Sequence, residues 1–174
     1  TACPEGANSP VTLCIGLDLG YTVEQGPCLI KDVRVAGFDI GIYTWGAVDS
    51  ITMVGIELAG QKKAGVFNDH QVVSIEGLAS DNAVPALVNK SGDGVITLLG
   101  ATLVGGAGGA AIANRGVIYA RDVSASGYAR AIKNDAGTTQ SPAGLAVAEF
   151  VSHPTNTLFD ERAESLKLEI KPTP

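Results

Sequence analysis

Four stretches of small and apolar residues each close on an asparagine: Ala64-Gly65-Val66-Phe67-Asn68, Pro85-Ala86-Leu87-Val88-Asn89, Ala110-Ala111-Ile112-Ala113-Asn114 and Arg130-Ala131-Ile132-Lys133-Asn134. The asparagines are 21, 25 and 20 residues apart. Self-similarity at that period is the mark of a solenoid, in which each unit buries its apolar side by stacking on its neighbours. A second register agrees with the first. Aligning Asp32, Gly55, Gly77, Gly100 and Asp122 puts Cys28, Ile51, Val73, Ile96 and Ile118 in one column and Ile30, Met53, Ile75, Leu98 and Ala120 in the next. Beyond the Gly or Asp position come Val33, Ile56, Leu78, Ala101 and Val123. Apolar columns two residues apart are strand periodicity, with every second side chain pointing inward. Gly and Asp tolerate the backbone of a tight bend. Two strand columns joined by a corner, with a third ending in Asn, predict a three-sided coil of about 22 residues.

An all-β, parallel β-helix solenoid fits this pattern better than its rivals. Leucine-rich repeats of similar length need a leucine and asparagine pattern that is missing, and two-helix repeats are longer and rich in Ala, Leu, Glu and Lys rather than Val, Ile, Gly and Thr. The 174 residues make one domain, and 45% apolar with 17% charged residues can fill a long narrow core. We expect an irregular coil or cap over 1–26, regular coils over 27–134, and a last strand with a capping tail over 135–174. In the first part, Ile15 to Gly20 reads as a short coil with Leu17 and Leu19 under Val33 and Val35, and Cys14 under Ile30. In the last, Leu145 to Val151 reads as a strand and Leu166 to Ile170 alternates like one. Of the three cysteines, Cys3 with Cys14 and Cys14 with Cys28 are the candidate pairs, beside buried free thiols.

A net charge of −6 argues against nucleic acid and anionic membranes as partners. No apolar run reaches the roughly 18 residues of a spanning helix. The chain starts at Thr1, which suggests a processed protein or a piece of a longer one.

The asparagine ladder, coil length and Val/Ile/Gly corners resemble the right-handed parallel β-helix of the pectate lyase superfamily, over about residues 15 to 150. That resemblance implies a secreted or extracellular protein that binds or cleaves polysaccharide. It brings no catalytic motif: the one Gly-Asp-Gly, Gly92-Asp93-Gly94, lies in the middle of a turn rather than ahead of the first coil.

The asparagines are read as structural, each amide bonding the turn and the amides above and below. The turns after the asparagines, which together make one edge of the stack, are the candidate site. Up the stack it presents Tyr43 and Trp45, then Asp69 and His70, then Lys90 and Asp93, then Arg115 and Asp135. An indole can stack on a sugar face, and polar groups one coil apart, about 4.8 Å, can follow an extended chain. Alternatively Trp45 covers the core and the charges are solvated turns. A second face carries Thr52, Ser74, Thr97 and Tyr119 beside Lys31, Val54, Glu76, Leu99 and Arg121, with Tyr128 and Arg130 nearby. No catalytic residue and no metal site is assigned: His70 and His153 are unrelated in the pattern and there is no Cys-x-x-Cys. In a lyase, Lys90 or Arg115 could act as base and Asp69 and Asp93 could hold calcium; in a glycosidase, Asp69 and Asp93 could pair. Three classes remain: a carbohydrate-binding module, a polysaccharide lyase or glycoside hydrolase, and an assembly solenoid pairing through its ends or faces.

Overall fold

The structure, a computed structural model, describes residues 13–25, 27–48, 50–106, 109–137 and 139–153. It is a parallel β-solenoid of about five turns with roughly 23 residues per turn, and the described residues contain no helix. One sheet, which we term A, stacks β1 (Ile15–Gln25), β3 (Ile40–Val48), β5 (Ala64–Asn68), β7 (Leu87–Asn89), β9 (Ala110–Asn114) and β11 (Arg130–Asn134) in that order. The other, sheet B, stacks β2 (Cys28–Ala36), β4 (Ile51–Ala59), β6 (Val72–Asp81), β8 (Val95–Val104), β10 (Val117–Ser126) and β12 (Ala146–Val151). Each coil gives one strand to each sheet, which is why neighbours within a sheet are parallel.

The columns read from the sequence are the columns of sheet B. Cys28, Ile51, Val73, Ile96 and Ile118 are successive partners, as are Ile30, Met53, Ile75, Leu98 and Ala120. The expected corner is a bend inside one continuous strand, so two sides of the coil are the arms of the same strand. At the bend Asp32, Gly55, Gly77, Gly100 and Asp122 all take positive φ, between 53° and 69°. That residue shifts the in–out alternation by one place: Met53 and Ile56 both reach the core, with two residues between them.

Sheet A closes the coil through the asparagines. Asn68, Asn89, Asn114 and Asn134 are register partners, and Thr44 takes the same place one coil lower. The Thr44 hydroxyl donates to Asn68 Oδ1 at 2.7 Å. Each amide then donates to the next Oδ1 up the stack, at 3.0, 2.8 and 2.7 Å. Each asparagine spends its amide on its own turn as well, on Gln71, Gly94, Gly116 and Ala136 carbonyls in order.

The two ends depart from expectation in different ways. Ile15, Leu17 and Leu19 pair with Ile40, Ile42 and Thr44 of sheet A, not with the Val33 and Val35 column. The alternation of β1 suits either sheet; what places it is the corner, where Cys14 O accepts from the Asp39 and Ile40 amides and Cys14 N donates to the Asp39 carboxylate. Cys14 therefore lies below Asp39 rather than Ile30. It is disulfide-bonded and Cys28 is a free thiol, which removes the Cys14–Cys28 pair. Cys3 lies outside the described residues, as do the rest of 1–12 and the alternating stretch at Leu166 to Ile170. At the other end β12 forms as expected but runs antiparallel to β10, so the parallel ladder of sheet B stops there. Among the described residues no helix is long and apolar enough to cross a membrane.

Replacing Asn89 by Leu should destabilise the fold by about 1–3 kcal/mol, because the Asn68 amide and the Gly94 carbonyl lose a buried partner. Denaturant unfolding of the variant checks it; an unchanged midpoint would mean that the ladder contributes nothing net.

Candidate functional site

On β3 the alternation that turns Ile42 and Thr44 inward turns Tyr43 and Trp45 outward, side by side on one face. Trp45 is thus on a strand, not in the turn the sequence suggested, and it is half-buried on the outer surface of sheet A rather than a cover for the core. Its indole lies across Gly20, its register partner on β1: a Cβ at position 20 would fall within 1.9 Å of Nε1. Nε1 donates to Asp18 Oδ1 at 2.7 Å. The Tyr43 and Trp45 rings are nearly parallel, 26° apart, with centroids separated by 6.4 Å. One coil up, Phe67 meets Tyr43 edge-on at 5.5 Å.

The position after each asparagine forms a second line. The amides of Asp69, Lys90, Arg115 and Asp135 donate to the Thr44, Asn68, Asn89 and Asn114 carbonyls, so these residues follow Trp45 up the edge one coil at a time. Asp69 is the hub. Its Oδ2 accepts from Lys90 Nζ at 2.9 Å and from the Tyr43 hydroxyl at 3.4 Å, and its Oδ1 lies 3.5 Å from His70 Nδ1. Lys90 Nζ also sits over the Phe67 ring, 5.9 Å from its centroid, a cation–π arrangement. His70 occupies the left-handed region at φ 65°, a conformation that costs a residue with a Cβ some strain. The turn is held there by Asn68, which bonds both the amide and the carbonyl of Gln71.

The electrostatics follow from these contacts. Partial burial of the Asp69 carboxyl opposes ionisation, but hydrogen bonding and charge from Lys90, then His70, outweigh it and hold the group below the usual carboxylate range. The Lys90 ammonium is held above its ordinary value by its bond to Asp69. Tyr43 is pushed above an ordinary phenol by burial first and then by the Asp69 charge.

Of the residues singled out in the sequence, Tyr43, Trp45, Asp69, His70 and Lys90 form one connected group. Asp93 and Arg115 stand outside it: both are exposed, Asp93 sits in the turn after Lys90 with its amide bonded to Ser91 Oγ, and Arg115 continues the edge one coil above Lys90. Phe67, Asp18 and Gly20 belong to the group and were not singled out. The signal for Phe67 was present, since it precedes the ladder asparagine just as Tyr43 precedes Thr44. On the second candidate face two tyrosines have structural partners. Tyr128 is buried and donates to the Asn82 and Val84 carbonyls, and Tyr119 donates to Glu149 of β12, tying on the last strand. Among the described residues no three His, Cys, Asp or Glu side chains gather as a metal site would need.

Comparison with known proteins finds no match for this chain among family models, curated proteins or solved structures.

Two outcomes test the geometry. Gly20→Ala should lift the indole off the sheet and expose it, read as a red shift of tryptophan emission; an unchanged spectrum would place the ring elsewhere. Asp69→Asn removes the charge that raises Tyr43, so the Tyr43 titration should move down toward 10, followed by NMR of the phenol ring carbon.

Proposed function

We propose that the chain is a carbohydrate-binding solenoid module that holds an extended polysaccharide on the outer face of sheet A. The observation that carries this reading is the pair of nearly parallel rings, Tyr43 and Trp45, laid on that face beside the Asp69–Lys90 pair. Aromatic rings pressed against a sheet offer a flat apolar surface with little side-chain freedom left to lose, and the ion pair beside them offers both a donor and an acceptor to hydroxyl groups. Trp45 is fixed by Asp18 and by the bare backbone of Gly20, so binding would require little rearrangement. Arg115 and Asp135 extend the polar edge for further units of the ligand.

The parallel β-solenoid is the architecture on which the pectate lyase superfamily builds polysaccharide sites, and this likeness supports the same substrate class and an extracellular setting. It does not favour the same chemistry. A base drawn from this edge would have to give up a proton near neutral pH, whereas Lys90 is shifted the other way by Asp69. Asp69, held below the usual carboxylate range chiefly by Lys90, is a poor general acid. Binding without cleavage is therefore the reading we adopt over a lyase or glycosidase.

The test is a panel of plant and microbial polysaccharides, scored for binding and for new reducing or unsaturated ends. Binding without product is expected. Trp45→Ala should weaken it about ten- to hundred-fold, equivalent to about 1–3 kcal/mol, with thermal stability nearly unchanged. Product formation would select the enzyme reading, and a concentration-dependent assembly with no glycan bound would select association through solenoid ends or faces.

A further inference from the structure

The bend of sheet B makes a second surface that the aromatic edge does not use. Outside the row of positive-φ residues runs a groove along the solenoid axis. It consists of two adjoining cavities of about 380 and 260 Å³ that share Arg34, Glu57 and Ala79. Asp32 stands at the bottom of the row and Asp122 at the top. The three positions between them, Gly55, Gly77 and Gly100, have no side chain.

Two of those positions have room for a side chain, although glycine takes their left-handed backbone with the least strain. Asp32 and Asp122 adopt the same left-handed backbone, φ 53° and 55°, so the bend accepts Asp, and by the same physics Asn. Space is available too: a Cβ at Gly77 would have its nearest contact at 3.7 Å and one at Gly100 none within 4 Å. The neighbouring outward row is likewise small above its first two places, where Ala79, Thr102 and Ser124 follow Glu57. The result is a strip of nearly bare backbone above Asp32, and the cavities along it run from Arg34 through Glu57 and Ala79 to Thr102, about 14 Å at three coil steps. Glycine permits close approach of a ligand to the main chain.

Most charges around the strip are paired with one another, and Asp81 adds a carboxylate outside those pairs, so the groove carries a slight negative balance. Arg34 lies 3.9 Å from Glu57, Lys31 4.0 Å from Asp32 and Arg121 3.4 Å from Asp122. Such pairs present donors and acceptors together with little net field, so they suit a neutral ligand rich in hydroxyls and give an anionic polymer no counter-charge. We infer that this groove is a second binding site, for a neutral, extended oligosaccharide lying along the solenoid axis. The inference shares with the edge proposal the reading of the chain as a glycan binder, but it uses none of the same residues.

The experiment is calorimetric titration of the whole chain with gluco-, xylo- and mannohexaose and with an oligogalacturonate of the same length. At least one neutral hexasaccharide is expected to bind. Gly77→Asn should weaken that binding at least ten-fold while the thermal midpoint stays within a few degrees, because Asn tolerates the bend. Ala79→Arg fills the same groove from an ordinary strand position and should do the same, which covers the case in which the bend variant fails to fold. Trp45→Ala should leave this component intact. Unaltered binding in both groove variants overturns the groove, and if Trp45→Ala abolishes the binding the edge reading alone survives. Loss only in the groove variants is the result expected of the groove and leaves the edge to the polysaccharide panel, whereas no binding by any neutral hexasaccharide sinks the groove and likewise leaves the edge to that panel. Preference for the oligogalacturonate over all neutral chains also overturns the groove.

Discussion

The structure depends on one chain of buried hydrogen bonds, running from the Thr44 hydroxyl through Asn68, Asn89 and Asn114 to Asn134. A carboxamide is the side chain that can do this repeatedly. It accepts from below, donates upward, and keeps a second N–H for the carbonyl of its own turn. Any slip of one coil against the next would leave two buried polar groups without partners, each costing about 1–3 kcal/mol. The ladder therefore fixes register while leaving turn lengths free, and the intervals between its rungs do vary from 20 to 25 residues. Thr44 begins the series suitably: its hydroxyl needs only to donate upward, and Leu19 below offers it no polar side chain.

Because the ladder fixes register, it also aligns what lies beside it. The residue before each rung points outward, so Tyr43 and Phe67 meet across coils. The residue after each rung is aligned as well, so Asp69, Lys90 and Arg115, which begin turns, fall in line above Trp45 on its strand. None of these side chains places itself; the candidate site is a by-product of a structural device one residue away. The hub at Asp69 then takes three partners within reach, and this gives the edge its polarity.

Most of this was legible in the sequence because a repeat supplies several versions of each position. The inward columns around Met53, Ile75 and Leu98 and the asparagine rungs were read in register, since in each case a strand period and a turn residue pointed to the same alignment. What escaped had only one copy or an ambiguous pattern. The Leu17 and Leu19 alternation fits either sheet, and only the Cys14–Asp39 corner decides between them. Tyr128 looks like a surface aromatic because nothing in its neighbourhood shows that it lies against Gly106, where a Cβ would come within 2.2 Å of the ring. Trp45 looks like a turn residue because the rung beside it, Thr44, carries a hydroxyl instead of an amide and so hides its place in the asparagine row.

The two outer surfaces owe their difference to the two ways this coil changes direction. Sheet A ends in turns that carry long polar side chains, so its edge gathers rings and charges that bond to one another. Sheet B bends through a single left-handed residue, and a residue in that conformation leaves its flanking arms to form the walls of a groove. Asp32 and Asp122 show that such a bend can bear a side chain without losing its backbone conformation. The glycines between them therefore remove bulk from the floor of the groove, and removal of bulk on an exposed face gains no packing for the core. Glycine also escapes the strain that a Cβ carries in this left-handed conformation, so the backbone itself favours it at the bend. The bend that the backbone demands and the bare floor that a molecule outside the chain can approach are thus one feature, and the side chains of the flanking arms, Arg34, Glu57 and Asp81 among them, distinguish this face from a plain corner.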